Sequence, residues 1–159
     1  MWALIERIAD LERRTGALYG RFAEAAQHLP PTAAFWREMA ADEELHALLV
    51  TAAREVFPPS MAAPGGDWER QLAAVTTLLD RVEDEARAGI SPTAALARAE
   101  EIERSELNLL TRLVLERAGV DFSRLVPLAG DWFDDRHHAR LARARATLAT
   151  AATAPGVVS

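Results

Sequence analysis

The amino-acid sequence predicts an all-α protein, and three observations carry that reading. Half of the residues are hydrophobic but only 6% are aromatic, and Ala and Leu fill most apolar positions; both lose little side-chain freedom in a helix. Gly and Pro number eight each and mostly cluster between long Ala/Leu/Glu/Arg stretches. The alternating Val/Ile/Thr runs that mark strands are missing. At 159 residues the chain fits one domain with a core of its own.

Five helical segments follow in order. The first runs from about Leu4 to Leu29 and stops at Pro30-Pro31. The second begins near Thr32, read as its N-cap, and ends near Phe57 before Pro58-Pro59. Loop chemistry occupies 58–66, and Asp67 caps a shorter helix that ends at Gly89. Ser91 followed by Pro92 is a cap and first-turn signature, and the helix it opens runs to Ala118, stopped by Gly119. The last helix reaches about Thr150. Pro127 is awkward inside a helix, so its regular part can begin only there. Four of the five are long enough to lie side by side as a bundle. The segment 58–90 is long enough to cross that bundle, so the helices it joins need not be antiparallel neighbours. The domain is expected over 1–150, with a frayed tail at 151–159.

A formal net charge of −6 opposes non-specific binding to nucleic acid. The absence of cysteine excludes disulfides, thiolate zinc sites, iron–sulfur clusters and cysteine nucleophiles. The N-terminal apolar run from Met1 to Ile5 is too short for a signal peptide, and no apolar stretch is long enough to span a bilayer. A cytoplasmic protein without a membrane partner is the expectation.

Charges sit on the wrong face of every long helix. Glu12 interrupts the apolar stripe Ile5, Ile8, Tyr19, Phe22, Ala26. Glu43 and His46 interrupt Trp36, Met39, Val50, Ala53, Phe57. Glu103 and Glu106 stand between Leu96, Ala99 and Leu110, Leu113, and Asp134 and His137 precede Leu141, Ala144 and Leu148. A buried carboxylate without a partner costs several kcal/mol, so these groups need compensation. Two helices supply an acid-x-x-His pair, whose i, i+3 spacing places carboxylate and imidazole one turn apart on one side. Glu12, Glu43, Glu103 and Asp134 balance the charge of two divalent cations, and His46 and His137 add neutral nitrogen. That donor set suits iron or manganese, with zinc possible.

An internal repeat joins these residues. A shift of 91 residues superposes Glu12 on Glu103, Glu43 on Asp134 and His46 on His137. The same shift carries Leu11 onto Ile102, Arg13 onto Arg104, Leu18 onto Leu109, Arg21 onto Arg112 and Phe22 onto Leu113. The chain therefore reads as two helix pairs, each giving one lone carboxylate and one acid-x-x-His.

Taken singly, each residue has an ordinary reading. A lone Glu in an apolar stripe usually sits at the edge of the core, a lone His is usually a satisfied core histidine, and Tyr19 alone reads as a packed aromatic. Glu44, Asp135 and His138 read as outer-face groups. Trp2, Trp36, Trp68 and Trp132 read as packing or oligomer contacts, and a homodimer is the expected assembly. Arg136, Arg140, Arg143 and Arg145 make the last helix basic. This reads as a solvated face that complements the helix C-terminus rather than a DNA-binding surface.

Together these residues resemble the ferritin-like superfamily and, within it, the rubrerythrin-type proteins. The resemblance spans about Ile5 to Ala144. It rests on Glu12 with Tyr19 seven residues on, the run Asp42-Glu43-Glu44-Leu45-His46-Ala47, and Ile102-Glu103-Arg104-Ser105-Glu106-Leu107-Asn108. It implies a ferritin-like four-helix bundle with a long crossover between helices two and three, holding two iron ions per chain. Glu12, Glu43, His46, Glu103 and His137 would be metal ligands and carry the catalysis. Glu106 matches an extra acid that exchanges with the helix-two histidine during redox change. Asp134 stands where the family has Glu, one methylene shorter. The implied activity is oxidation of Fe(II) by hydrogen peroxide or oxygen. Without a cysteine-ligated rubredoxin iron, electrons would come from an external donor. An iron-binding or iron-delivery protein without turnover, and a purely structural bundle, are the alternatives.

Overall fold

The computed structural model describes residues 1–119 and 140–146, and all regular structure among them is helical. In chain order, α1 spans Trp2–Ala25, α2 Pro30–Ala53, α3 Trp68–Ala88, α4 Pro92–Glu103 and α5 Glu106–Arg117. A 3₁₀ turn at Arg54–Val56 extends α2, and residues 140–146 are helical as well. The remainder of the expected fourth long helix and the tail at 151–159 lie outside the described residues.

The helix ends show which local signals decide. Pro30 and Pro31 do not merely stop the first helix. They occupy the opening turn of α2, where a missing N–H is no loss, so Leu29 is the N-cap and Thr32 lies inside the helix. α1 accordingly ends earlier than expected, at Ala25. Ser91 caps α4 as expected, its Oγ accepting from Ala94 N at 3.2 Å. Gly89 ends α3 at φ +97°, a conformation that a side chain would disfavour.

The helix expected from Pro92 to Ala118 is broken at Arg104–Ser105. Ser105 Oγ accepts from Leu107 N at 3.4 Å, and Asn108 Nδ2 donates to the Glu103 carbonyl at 3.2 Å. In a continuous helix Leu107 N would serve that carbonyl. Two short polar side chains thus offer the backbone an alternative set of bonds, and the helix restarts in a new register. Among the described residues, the burial pattern of the 91-residue repeat holds up to this point and is kept only in part beyond it: Tyr19 and Leu110 are both buried, but other pairs part. Leu11 and Ile102 are both buried, as are Glu12 and Glu103, yet Leu18 is 1% exposed and Leu109 59%. Leu113, expected on the core stripe, is half-buried, while Leu107, Leu110, Thr111 and Val114 form the inward face of α5.

Cross-helix pairs fix the directions. Arg54 with Glu6 and Arg13 with Thr51 make α1 and α2 an antiparallel hairpin. Arg14 reaches Asp80 and Glu83, and α3 packs Leu72, Val75, Leu79 and Val82 inward at helical spacing. Arg81 with Glu101 and Arg98 with Glu85 set α4 antiparallel to α3. The connection between α2 and α4 is therefore itself a helix. It carries the chain along α1 so that α4 and α5 run back against it. The expected stripes of α1 and α2 are buried in full, with Trp36 packed edge-on against Phe22 at 5.0 Å and tilted against Tyr19 at 5.6 Å. Into this apolar interior α1 and α2 deliver Glu12, Glu43 and His46, and α4 delivers Glu103. No helix among the described residues is long and apolar enough to cross a membrane.

Candidate metal centre

Three of the expected ligands converge. Glu12 is wholly buried on α1, and Glu43 and His46 are each 2% exposed on α2. His46 Nδ1 lies 3.1 Å from Glu43 Oε2 and 4.0 Å from Glu12 Oε2. One donor atom from each residue lies within 4.8 Å of the others, close enough to share a cation. α1 and α2 approach closely here because Gly16 lacks a side chain. A Cβ on it would stand 3.2 Å from the Ala40 carbonyl oxygen and 3.3 Å from Glu43 Cβ.

The chemistry of this cluster suits a cation. With both Glu12 and Glu43 ionised, Glu12 Oε2 is buried without a hydrogen-bond partner among the described residues. Leaving such an acceptor unmet costs on the order of 1–3 kcal/mol, and more if it is charged. Burial holds the Glu12 carboxyl well above the usual carboxylate range, and Glu43 pushes it further, by its charge and by the hydrogen bond that a protonated Glu12 makes to it. The His46 charge and the Thr111 hydroxyl work in the opposite direction. In the metal-free protein Glu12 therefore clings to a proton, which a divalent cation would displace. Two carboxylates and one imidazole form a borderline-hard donor set suited to iron, manganese or zinc.

Glu103 is the third buried acid among the described residues, and both of its oxygens are engaged. Tyr19 OH donates to Oε1 at 2.8 Å, and Asn108 Nδ2 donates to Oε2 at 3.1 Å. The Tyr19 hydroxyl is held well above its ordinary pKa by burial first, then by the charges of Glu103, Glu43 and Glu12. Tyr19 thus remains a donor and stands in the field of acids from all three helices. It is a partner of the cluster as well as a packed core aromatic.

The other expected site residues are placed less fully. Glu106 opens α5, and the break at Arg104–Ser105 means that it does not stand one continuous helical turn beyond Glu103. Asp134 and His137 lie outside the described residues. Glu44 is exposed, as an outer-face charge should be.

Two residues of the centre have no signature in the sequence read alone. Thr111 is fully buried on α5 and donates a hydrogen bond to Glu12 Oε1. Asn108, one turn earlier, binds Glu103. A threonine on a leucine-rich helix face is unremarkable in a sequence, because a helical hydroxyl can bond its own backbone. A polar pair at i, i+3 on a buried face is the only available hint. No protein-family model matches this chain, and no curated protein or solved structure matches it either.

Proposed function

We propose that the chain is a di-iron carboxylate redox protein of the rubrerythrin type, folded as a ferritin-like four-helix bundle, that oxidises Fe(II) with hydrogen peroxide or oxygen. The observation that carries this reading is the buried Glu12, Glu43 and His46 set with an unmet Glu12 oxygen, beside a third buried acid, Glu103, bonded to Tyr19. Glu12, Glu43 and His46 would hold iron. Glu103, with Glu106, Asp134 and His137, completes the ligand set that the resemblance assigns. Two iron ions held together supply a two-electron couple, which matches the demand of an O–O bond.

The chain's own residues do the rest. Glu12 gives up its proton as a cation arrives, because the cation replaces the compensation the proton supplied. Tyr19 and Asn108 hold Glu103 in one orientation, and the raised pKa of Tyr19 keeps its proton on oxygen. Ile8, Met39 and Trp36, all buried, contribute to the apolar interior that keeps bulk water away. A reductant outside the chain must return the electrons, since no cysteine is present to hold a second iron centre.

One observation favours a second reading, a mononuclear site that binds iron without turnover. Among the described residues only Glu12, Glu43 and His46 converge closely enough to share a cation. Stopped-flow absorbance of the anaerobically loaded protein, mixed separately with peroxide and with oxygen, separates the two. The proposed function requires rapid oxidation and sustained peroxide consumption with a reductant present. Iron that stays ferrous with both oxidants assigns the chain to iron binding alone.

A further inference from the structure

Helical threonines have a habitual partner. In this chain Thr15, Thr51, Thr76 and Thr77 each donate their hydroxyl to the carbonyl four residues back, Leu11, Ala47, Leu72 and Ala73 respectively. Such a bond is local and needs nothing from another helix. Thr111 breaks the pattern. Its hydroxyl crosses the interior to α1, 99 positions away in sequence, and donates to Glu12 Oε1. It is 0% exposed, so neither partner can turn to water instead. The break at Arg104–Ser105 places Thr111 on the inward face of α5, one turn beyond Asn108, which engages the other lone acid, Glu103.

This contact has a consequence for the Glu12 carboxyl. With Oε1 held from the α5 side, the other oxygen, Oε2, is the one that faces His46 and remains unmet. The geometry points to Thr111 as a positioning residue that makes Glu12 bind a cation through Oε2 alone, on the side of Glu43 and His46. This deepens the metal-binding reading and rests on it. A carboxylate fixed in one orientation gives up no rotational freedom when the cation arrives. Partners in this outer position typically change metal affinity 10- to 100-fold when removed.

The test uses Co(II), whose visible absorption reports its ligand geometry, titrated into the metal-free full chain. Wild type, Thr111→Val, Thr111→Ser and Thr76→Val are compared. Val keeps the volume of Thr and lacks the hydroxyl, Ser keeps the hydroxyl, and Thr76 is a back-bonded threonine away from the acids. Thr111→Val should weaken the tightest Co(II) step roughly 10-fold or more and alter its absorption band. Thr111→Ser should restore both, and Thr76→Val should match wild type. Wild-type affinity and spectrum in Thr111→Val would overturn the proposal while leaving the metal site intact. Equal losses in Val and Ser would also overturn it, since the effect would then be packing. If circular dichroism shows Thr111→Val unfolded, Thr111→Ala is the hydroxyl-free variant, and the same outcomes decide. A wild-type chain that binds no Co(II) removes the metal reading and this proposal with it.

Discussion

Replacing Gly16 with alanine probes how closely α1 and α2 must approach at the acid cluster. The new Cβ would stand 3.2 Å from the Ala40 carbonyl oxygen and 3.3 Å from Glu43 Cβ, so α2 must retreat by a few tenths of an ångström at the residue that carries the site. Two terms oppose each other. Alanine is about 0.8–1 kcal/mol better than glycine inside a helix. Overpacking a filled interior costs roughly 1–3 kcal/mol. The net effect is a loss of up to about 2 kcal/mol. Gly20, one turn on, is the internal control, because a Cβ there meets nothing within 4 Å. Gly20→Ala should therefore stabilise by about 0.5–1 kcal/mol. Thermal unfolding of the metal-free proteins should separate the two variants by several degrees, at roughly 2–4 °C per kcal/mol for a chain of this size. Metal affinity should fall in Gly16→Ala alone, because Glu43 has moved. Equal rises in melting temperature for both variants, with unchanged affinity, would refute the close approach.

Two further outcomes follow from the buried acids. The Glu12 carboxyl is raised in the folded state, so between its unfolded and folded pKa values the folded protein binds more protons than the unfolded chain. The stability this contributes to the metal-free protein is present at low pH and is lost as pH rises from about 4.3 through the folded value. Urea unfolding midpoints of wild type and Glu12→Gln across that range should show the decline in wild type only; parallel profiles would place Glu12 in water. Tyr19→Phe removes the 2.8 Å bond to Glu103, and hydrogen bonds to charged groups contribute about 1.5–3 kcal/mol. Urea denaturation should register a loss of that order, and an unchanged midpoint would mean that Glu103 does not depend on Tyr19.

The parts legible in the sequence were those that break a local rule. A charged residue in an apolar stripe is visible without a structure, which is why Glu12, Glu43, His46 and Glu103 could be named and why all four are buried. Ser91-Pro92 and Gly89 were legible because caps act on adjacent backbone. Pro30-Pro31 misled by a few residues, since proline ends one helix and begins the next with equal ease. The break at Arg104–Ser105 was not legible, because serine and asparagine are tolerated inside helices and only their side-chain bonds decide. The repeat hid the break further, since its register predicts that Leu109 should be as buried as Leu18. Thr111 and Gly16 were invisible for a different reason: each acts on another helix, and no local pattern records that contact.

The most direct test of the central claim is an anaerobic Fe(II) titration of the metal-free protein, with bound metal counted after equilibrium dialysis and Glu12→Ala run in parallel. Glu12, Glu43 and Glu103 are buried; with Asp134, the fourth acid of the proposed ligand set, they would balance two divalent cations, so wild type should saturate at two Fe(II) per chain. Glu12→Ala should lose affinity markedly. Wild type that binds no Fe(II), or Glu12→Ala that binds it as well as wild type, would contradict the claim that these buried acids form a metal centre.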